Sequence, residues 1–309
     1  MALTEEQKKL IQNFISQPTF RQHGGLLTDL DGTIVLQRNG KFIIPLEVQT
    51  GLNKLYQRNC PIILNTIRFP LSIIKTFAAV LYPLAQKPIP VISLNGSQWG
   101  YISLGENQEY RFTEAGAQPL KQADIQSCLA NIQLLVQQQV PDIAVFYYPR
   151  DWTKGEIIWT SVETQVGEIA QSYPSASHVY SSSLAILENH LKAEDISMIF
   201  LLVKKDHLAG TFLQRNFQDF YTSTGVNKLT GAHAFVNQLG RTLKQFIGAG
   251  DTPMDVFLQE TGAVIKVGNL PLDFECSGPL LPIETVPEMG EVFTQIAEAC
   301  TVTNPSYQL

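Results

Sequence analysis

The chain has 309 residues, 44% of them hydrophobic and 16% charged, enough to bury a real core and to fill about two domains without staples. Its 22 basic and 28 acidic residues give a net charge of −6, so neither nucleic acid nor an anionic membrane is expected as a main partner. Cys60, Cys128, Cys276 and Cys300 form no CxxC pair, no apolar run reaches spanning length, and the N-terminus has no signal-peptide core; these features predict a soluble, cytoplasmic protein with reduced thiols.

Residues 1–20 read as a helix, with Thr4 and Gln7 spaced as a capping box and Leu10, Ile11, Phe14 and Ile15 on one stripe. Gly24–Leu30 is then a buried strand that ends in Asp29-Leu30-Asp31-Gly32-Thr33. A helix is predicted over Val48–Gln57. A second strand, Pro61–Leu64, ends in Asn65-Thr66-Ile67-Arg68. A helix over Leu71–Leu81 and a third strand, Pro90–Leu94, ending in Asn95-Gly96, follow. Strand and helix alternate, which predicts a parallel sheet covered on both faces.

The middle has another rhythm. Trp99–Leu104 and Tyr110–Thr113 alternate like antiparallel strands. Gln118–Gln139 reads as a long helix, Ile143–Tyr148, Glu156–Thr160 and Ser197–Val203 as strands, and Glu163–Ser172 as a helix. The first rhythm returns with a helix over Gly231–Leu239, a strand over Thr242–Ile247, a helix over Met254–Thr261 and a strand over Ala263–Val267. We therefore expect an α/β Rossmann-like three-layer core built from 1–93 and 222–309, with an α+β domain inserted at 94–221.

The strand ends offer Asp29, Asp31, Thr66, Arg68 and Asp251, with Asp255 close behind and Lys228 before a helix. In a parallel sheet such groups converge on one crevice. Carboxylates gathered there repel one another unless a cation sits among them, and oxygen ligands suit Mg2+. A lysine and a hydroxyl complete a set suited to phosphoryl transfer, where positioning and charge stabilisation dominate. No HExxH, GxSxG or GxxxxGK[ST] pattern offers a competing chemistry.

In this order the segments resemble the haloacid dehalogenase-like hydrolases. Asp29–Thr33 resembles their first motif, Thr66 the second and Lys228 the third. Gly250-Asp251-Thr252-Pro253-Met254-Asp255 resembles the fourth. Ser93–Gly96, Gly225–Lys228 and Val267–Asn269 are similar to the Cof-like branch, which includes many sugar-phosphate phosphatases and carries a large cap between the second and third motifs.

The resemblance implies Asp29 as nucleophile and Asp31 as general acid and base. It implies Thr66, the Ile67 N–H and Lys228 as phosphate-binding groups. Mg2+ would be held by Asp29, the Asp31 carbonyl and Asp251, with Asp255 as ligand or outer partner. Arg68 and Asn95 are further candidates. Ile67 and Leu229 stand where the branch usually has glycine. The expected partner is a phosphorylated small molecule; a phosphomutase, a protein phosphatase or a non-enzymatic binding protein on the same core are the alternatives. Arg150, Lys154, Lys204, Lys205 and His207 are candidates in the insert for meeting a second anionic group.

Overall fold

The computed structural model describes residues 3–208 and 218–299. Its described residues form two compact units. One comprises the chain up to Ile67, Ile73–Gly116 and the chain from Asn227 on; the other comprises Arg68–Ser72 and Ala117–Val226.

In the first unit, helices α1 (Glu5–Ile15) and α2 (Pro18–His23) lead into strand β1 (Gly25–Thr28). The Thr4 hydroxyl accepts from the Gln7 N–H while the Gln7 side chain accepts from the Thr4 N–H, closing the expected capping box. A small hairpin, β2 (Leu36–Arg38) and β3 (Lys41–Ile43), precedes α3 (Leu46–Gln57) and β4 (Ile62–Asn65). Next comes a helical stretch made of α4 (Pro70–Ile73), a π-helical turn over Ile74–Ala78 and α5 (Ala79–Ala85). Then follow β5 (Ile89–Ser93), β6 (Gln98–Leu104) and β7 (Tyr110–Ala117).

The second unit holds α6 (Gln122–Gln137), β8 (Ala144–Pro149), β9 (Ile157–Thr160), α7 (Val166–Ser172), β10 (His178–Ser181), α8 (Leu184–Ala193), β11 (Ile196–Leu202) and β12 (Phe220–Tyr221). The chain returns to the first unit with α9 (Lys228–Gln238), β13 (Phe246–Gly250), β14 (Ala263–Val267), β15 (Leu280–Ile283) and α10 (Met289–Ala299).

The eight-stranded sheet of the first unit has the order β15-β14-β13-β1-β4-β5-β6-β7. From β15 to β5 it is parallel; β6 runs antiparallel to β5. The strand order leaves β1 toward β4 and β5 in the first half of the chain and toward β13 to β15 in the second. The reversal opens a crevice at the carboxyl ends of β1 and β13. The parallel strands β1, β4, β5, β13 and β14 are buried at every position, as expected where helices cover both faces. Leu27, Ile63, Ile92 and Val264 pack with Phe235, Val236, Phe257 and Leu258 on one side. Ile247, Ile265 and Leu281 meet Ile11, Phe14 and Ile296 on the other. Each such fully buried side chain contributes about 1.5–3 kcal/mol. Helices α3 and α10 approach so closely that a Cβ on Gly51 would lie 2.7 Å from the Gly290 carbonyl oxygen.

The five-stranded sheet of the second unit has the order β10-β9-β8-β11-β12. Helices α6 and α8 cover it through Cys128, Leu129, Ile132, Leu135, Leu187 and Leu191, which pack on Val145, Tyr147, Trp159, Ile199 and Leu201. Residues 94–116 were expected in the insert, yet β6 and most of β7 belong to the first unit. Their alternation announces antiparallel strands without saying which sheet they join. The helix expected over Met254–Thr261 is only a short 3-10 turn at Val256–Gln259. Cys128 and Cys276 are free thiols, the Cys60 Sγ donates to the Pro61 carbonyl at 4.0 Å, and Cys300 lies outside the described residues. Among the described residues no helix is long and apolar enough to cross a membrane.

Candidate active site

Asp29 follows the last residue of β1, and its N–H donates to the Ala249 carbonyl of β13 at 2.9 Å, so it sits at the crevice mouth. Asp251 follows β13, and Asp255 ends the loop after it. Lys228 is the first residue of α9, whose N-terminus is capped by Asn227 accepting from the Leu229 and Thr230 N–H groups. The fold thus brings four distant residues together. Lys228 Nζ lies 2.6 Å from Asp29 Oδ1 and 2.7 Å from Asp255 Oδ1. Asp29, Lys228 and Asp255 are 5%, 3% and 0% exposed, so these are desolvated ion pairs rather than surface contacts.

The second oxygen of Asp255 accepts from the Asp251 N–H at 2.9 Å and the Thr252 N–H at 3.1 Å. Asp255 therefore anchors the lysine with one oxygen and shapes its own loop with the other. Those contacts hold 251–255 as a loop, from which Asp255 opens the short 3-10 turn found in place of the predicted helix. Oxygen atoms of Asp29, Asp251 and Asp255 all lie within 4.8 Å of one another. Two glycines permit this. A Cβ on Gly32, whose φ is +77°, would fall 2.1 Å from Asp251 Oδ2, and one on Gly250 would fall 2.6 Å from Asp255 Oδ2.

The charges are unbalanced. Three carboxylates lie together, and Lys228 touches two of them, Asp29 and Asp255. Burial pushes the Asp29 carboxyl up to about 8, with the Asp255 and Asp251 charges adding and Lys228 opposing. Burial and the Asp255 charge likewise push Asp251 up to about 6, against Lys228, Lys266 and the Thr33 hydroxyl. For Lys228, burial disfavours the charge, but Asp29 and Asp255 outweigh it and hold the lysine protonated. A cluster with more carboxylate than ammonium and only oxygen donors fits a hard divalent cation.

Asp31 is half-buried and pairs in a bridge with Val35; its carboxylate is not part of the three-carboxylate cluster. Thr66 is fully buried at the end of β4, its N–H donating to the Ile92 carbonyl and its carbonyl accepting from the Asn95 N–H. Ile67 follows in the same unit with no positive φ, and is half-buried. Asn95 has φ +55° and touches Thr66 through the backbone. Arg68 belongs to the other unit, where its Nη1 donates to Ser72 Oγ at 3.2 Å.

Three of the candidates for meeting a second anion are paired within the insert. Arg150 pairs with Asp195, Lys154 with Glu194 and Lys204 with Asp142, while His207 lies 3.8 Å from Asp142. Lys205 opens a short 3-10 turn.

Three residues were not singled out from the sequence. The Asn65 side chain donates to the Lys228 carbonyl at 3.0 Å. Thr33 Oγ1 donates to Asp251 Oδ1 at 3.4 Å. Lys266 is 6% exposed, and its Nζ donates to the Asp251 carbonyl at 2.9 Å. The signal for Lys266 was present, as a lone charge inside the apolar strand Ala263–Val267. Asn65 and Thr33 have no such signal, because polar residues at strand ends and turns are ordinary.

Comparison with curated proteins finds no match. Solved structures share the fold. A haloacid dehalogenase-like hydrolase from Bacteroides thetaiotaomicron matches with TM-score 0.60 and 15% identity over 90% of this chain and 99% of its own. A HAD-superfamily phosphatase from the same organism matches with TM-score 0.62 and 16% identity over 90% and 96%. A HAD subclass IIB sugar phosphatase matches with TM-score 0.62 and 16% identity over 89% and 97%. The profile of the haloacid dehalogenase-like hydrolases matches residues 26–270, a span that contains every strand-end residue of the crevice, and the chain belongs to that family.

Proposed function

We propose that this hydrolase is a Mg2+-dependent phosphatase that cleaves a phosphate monoester of a sugar or a similar small metabolite, with Asp29 as nucleophile. The observation that carries the reading is the buried Asp29–Lys228–Asp255 array with Asp251 beside it. The sugar phosphatase among the structural neighbours supports the substrate class.

In this reading Lys228 favours the ionised form of Asp29 against the burial that raises it, and fixes one of its oxygens, leaving the other to attack phosphorus. The bond from phosphorus to the alcohol oxygen breaks as the bond from Asp29 to phosphorus forms. Asp31, two residues on and half-buried, gives its proton to the leaving oxygen. It then takes a proton from water, whose oxygen attacks the aspartyl-phosphate and frees Asp29. The Thr66 hydroxyl and the Ile67 N–H hold phosphate oxygens. Asp29, the Asp31 carbonyl and Asp251 would hold Mg2+, which would neutralise charge between nucleophile and phosphate. Both oxygens of Asp255 are already engaged, which favours its use as the outer partner that aligns Lys228 and the Asp251 loop.

The test is Mg2+-dependent phosphate release from a panel of sugar phosphates, nucleotides and other phosphometabolites, with Asp29→Asn as control. Turnover of one class, lost in the variant and on chelation, is the expected result. Silence across the panel at saturating Mg2+ overturns the reading.

A further inference from the structure

Lys266 occupies an expensive position. It lies on β14 opposite Gly250 of β13, in a strand buried at every residue. Among the described residues its ammonium has no carboxylate within hydrogen-bonding reach; its three bonds go to main-chain oxygens of Asp251 at 2.9 Å, Val267 at 2.7 Å and Gly268 at 3.3 Å. Burying an ammonium costs several kcal/mol unless its protons are satisfied. An apolar residue would fill a buried strand position without that cost. The side chain also borders an open cleft lined by Asn269, Leu272 and Phe274, yet its nitrogen turns to the two loops. The carbonyls it joins belong to the start of the acidic loop and to the turn that ends β14.

Asp251 is held from three directions. Its N–H goes to Asp255, its carboxylate meets the Thr33 hydroxyl, and its carbonyl meets Lys266. The first two contacts come from groups inside the site itself. Lys266 ties the Asp251 carbonyl to the neighbouring strand of the sheet, one residue beyond the Gly250–Lys266 register.

We infer that Lys266 is a positioning residue, which fixes the Asp251 loop in the place where its carboxylates converge with Asp29 and so sets the affinity of the site for a divalent cation. The inference rests on the metal site of the proposed function. Contacts that orient metal ligands from outside are commonly worth about 10–100-fold in metal affinity. Loss of this one is expected to weaken Mg2+ binding about 10-fold.

Calorimetric titration of Mg2+ into the wild-type protein, Lys266→Met and Asp251→Asn, with a thermal melt of each, tests it. The expected result is a Kd about 10-fold higher in Lys266→Met while its melt remains cooperative, and binding abolished in Asp251→Asn. A lower Tm with unchanged Kd overturns the inference, since a purely structural lysine would act that way. A tighter Kd also overturns it, because Lys266 would then matter only as a repelling charge. A wild-type protein that binds no Mg2+ sinks the metal reading and the inference with it, whereas binding equal in wild type and Lys266→Met sinks the inference alone. Should Lys266→Met not melt cooperatively, Lys266→Gln takes its place. Its amide, one bond shorter and neutral, cannot span the three carbonyls, and the same 10-fold rise is expected.

Discussion

Replacing Lys228 by Met tests the proposed chemistry at its electrostatic centre. Methionine nearly matches the lysine in length and can fill the same buried space, so the change removes mainly the charge. Opposite charges at 2.6 Å in an effective dielectric of about 20 attract by about 6 kcal/mol. Relaxation and water entry in the variant return part of this, and loss of an adjacent opposite charge typically moves a carboxyl by about 1–3 units, so we take about 3 kcal/mol as the loss to Asp29. At 1.36 kcal/mol per unit that moves the Asp29 pKa up by about two units. An acid that must be ionised to attack then has about 100-fold less of its active form on the acid side of the profile. The assay is kcat/KM against pH at saturating Mg2+ with the best substrate from the panel. The variant's rate should climb with pH through a limb displaced to the alkaline side, and its deficit should shrink as pH rises. A variant within tenfold of wild type at neutral pH, with the acid limb in place, would refute the role given to Lys228.

Three further outcomes follow from the same geometry. Asp29→Asn should abolish turnover yet leave the metal-free protein as stable as wild type or more so at pH 7. Asp29 is raised in the folded state, so its stabilising contribution is present at low pH and lost as pH rises toward about 8, and a neutral amide escapes that loss; a Tm drop of several degrees would contradict this. Mg2+ affinity should increase with pH from 5 to 8, because a cation must displace protons that Asp251 and Asp29 hold up to about 6 and about 8; calorimetry in buffers of different ionisation enthalpy should show proton release, and a flat profile would be contrary. Gly32→Ala should cost about 1–3 kcal/mol of stability and weaken Mg2+ binding, because φ is +77° and the new Cβ falls on Asp251; unchanged urea midpoint and Kd would show that the loop yields freely.

The parts of the structure that could be read from the sequence are those with one dominant cause. Buried parallel strands are continuous apolar runs, and Gly25–Thr28, Ile62–Asn65 and Ile89–Ser93 announce themselves. The acids stand at the ends of those runs, so the crevice residues could be named from order alone. Where causes compete, legibility fails. Strand β10 is a half-exposed edge of mostly polar residues, and nothing in His178–Ser181 separates it from a loop. Helix α8 follows it without a side-chain cap to mark its start. Strands β6 and β7 were seen, but sheet membership is a long-range fact. Arg68 is a neighbour of Thr66 in sequence, yet the boundary between the units falls just before it.

The backbone accommodates side chains at 67 and 229, where the resembling branch usually has glycine. At Ile67 the chain has no positive φ, so a β-branched residue fits there without strain. Unusual conformation is found instead at the end of β5, where Leu94 and Asn95 have φ of +51° and +55° and Gly96 has +94°. Left-handed non-glycine residues cost about 1–3 kcal/mol each and persist only where surrounding contacts hold them. Here the Asn95 N–H donates to the Thr66 carbonyl, so the strained turn grips the residue proposed to bind phosphate. On its other side the same turn seats α9, since a Cβ on Gly96 would lie 2.1 Å from the Asn227 carbonyl oxygen and one on Gly231 would lie 2.4 Å from the Gly96 Cα. The close approach that demands glycine in this helix is thus at 231, which leaves position 229 free for a leucine packed against the core. One turn therefore touches both Thr66 and the start of the helix that carries Lys228.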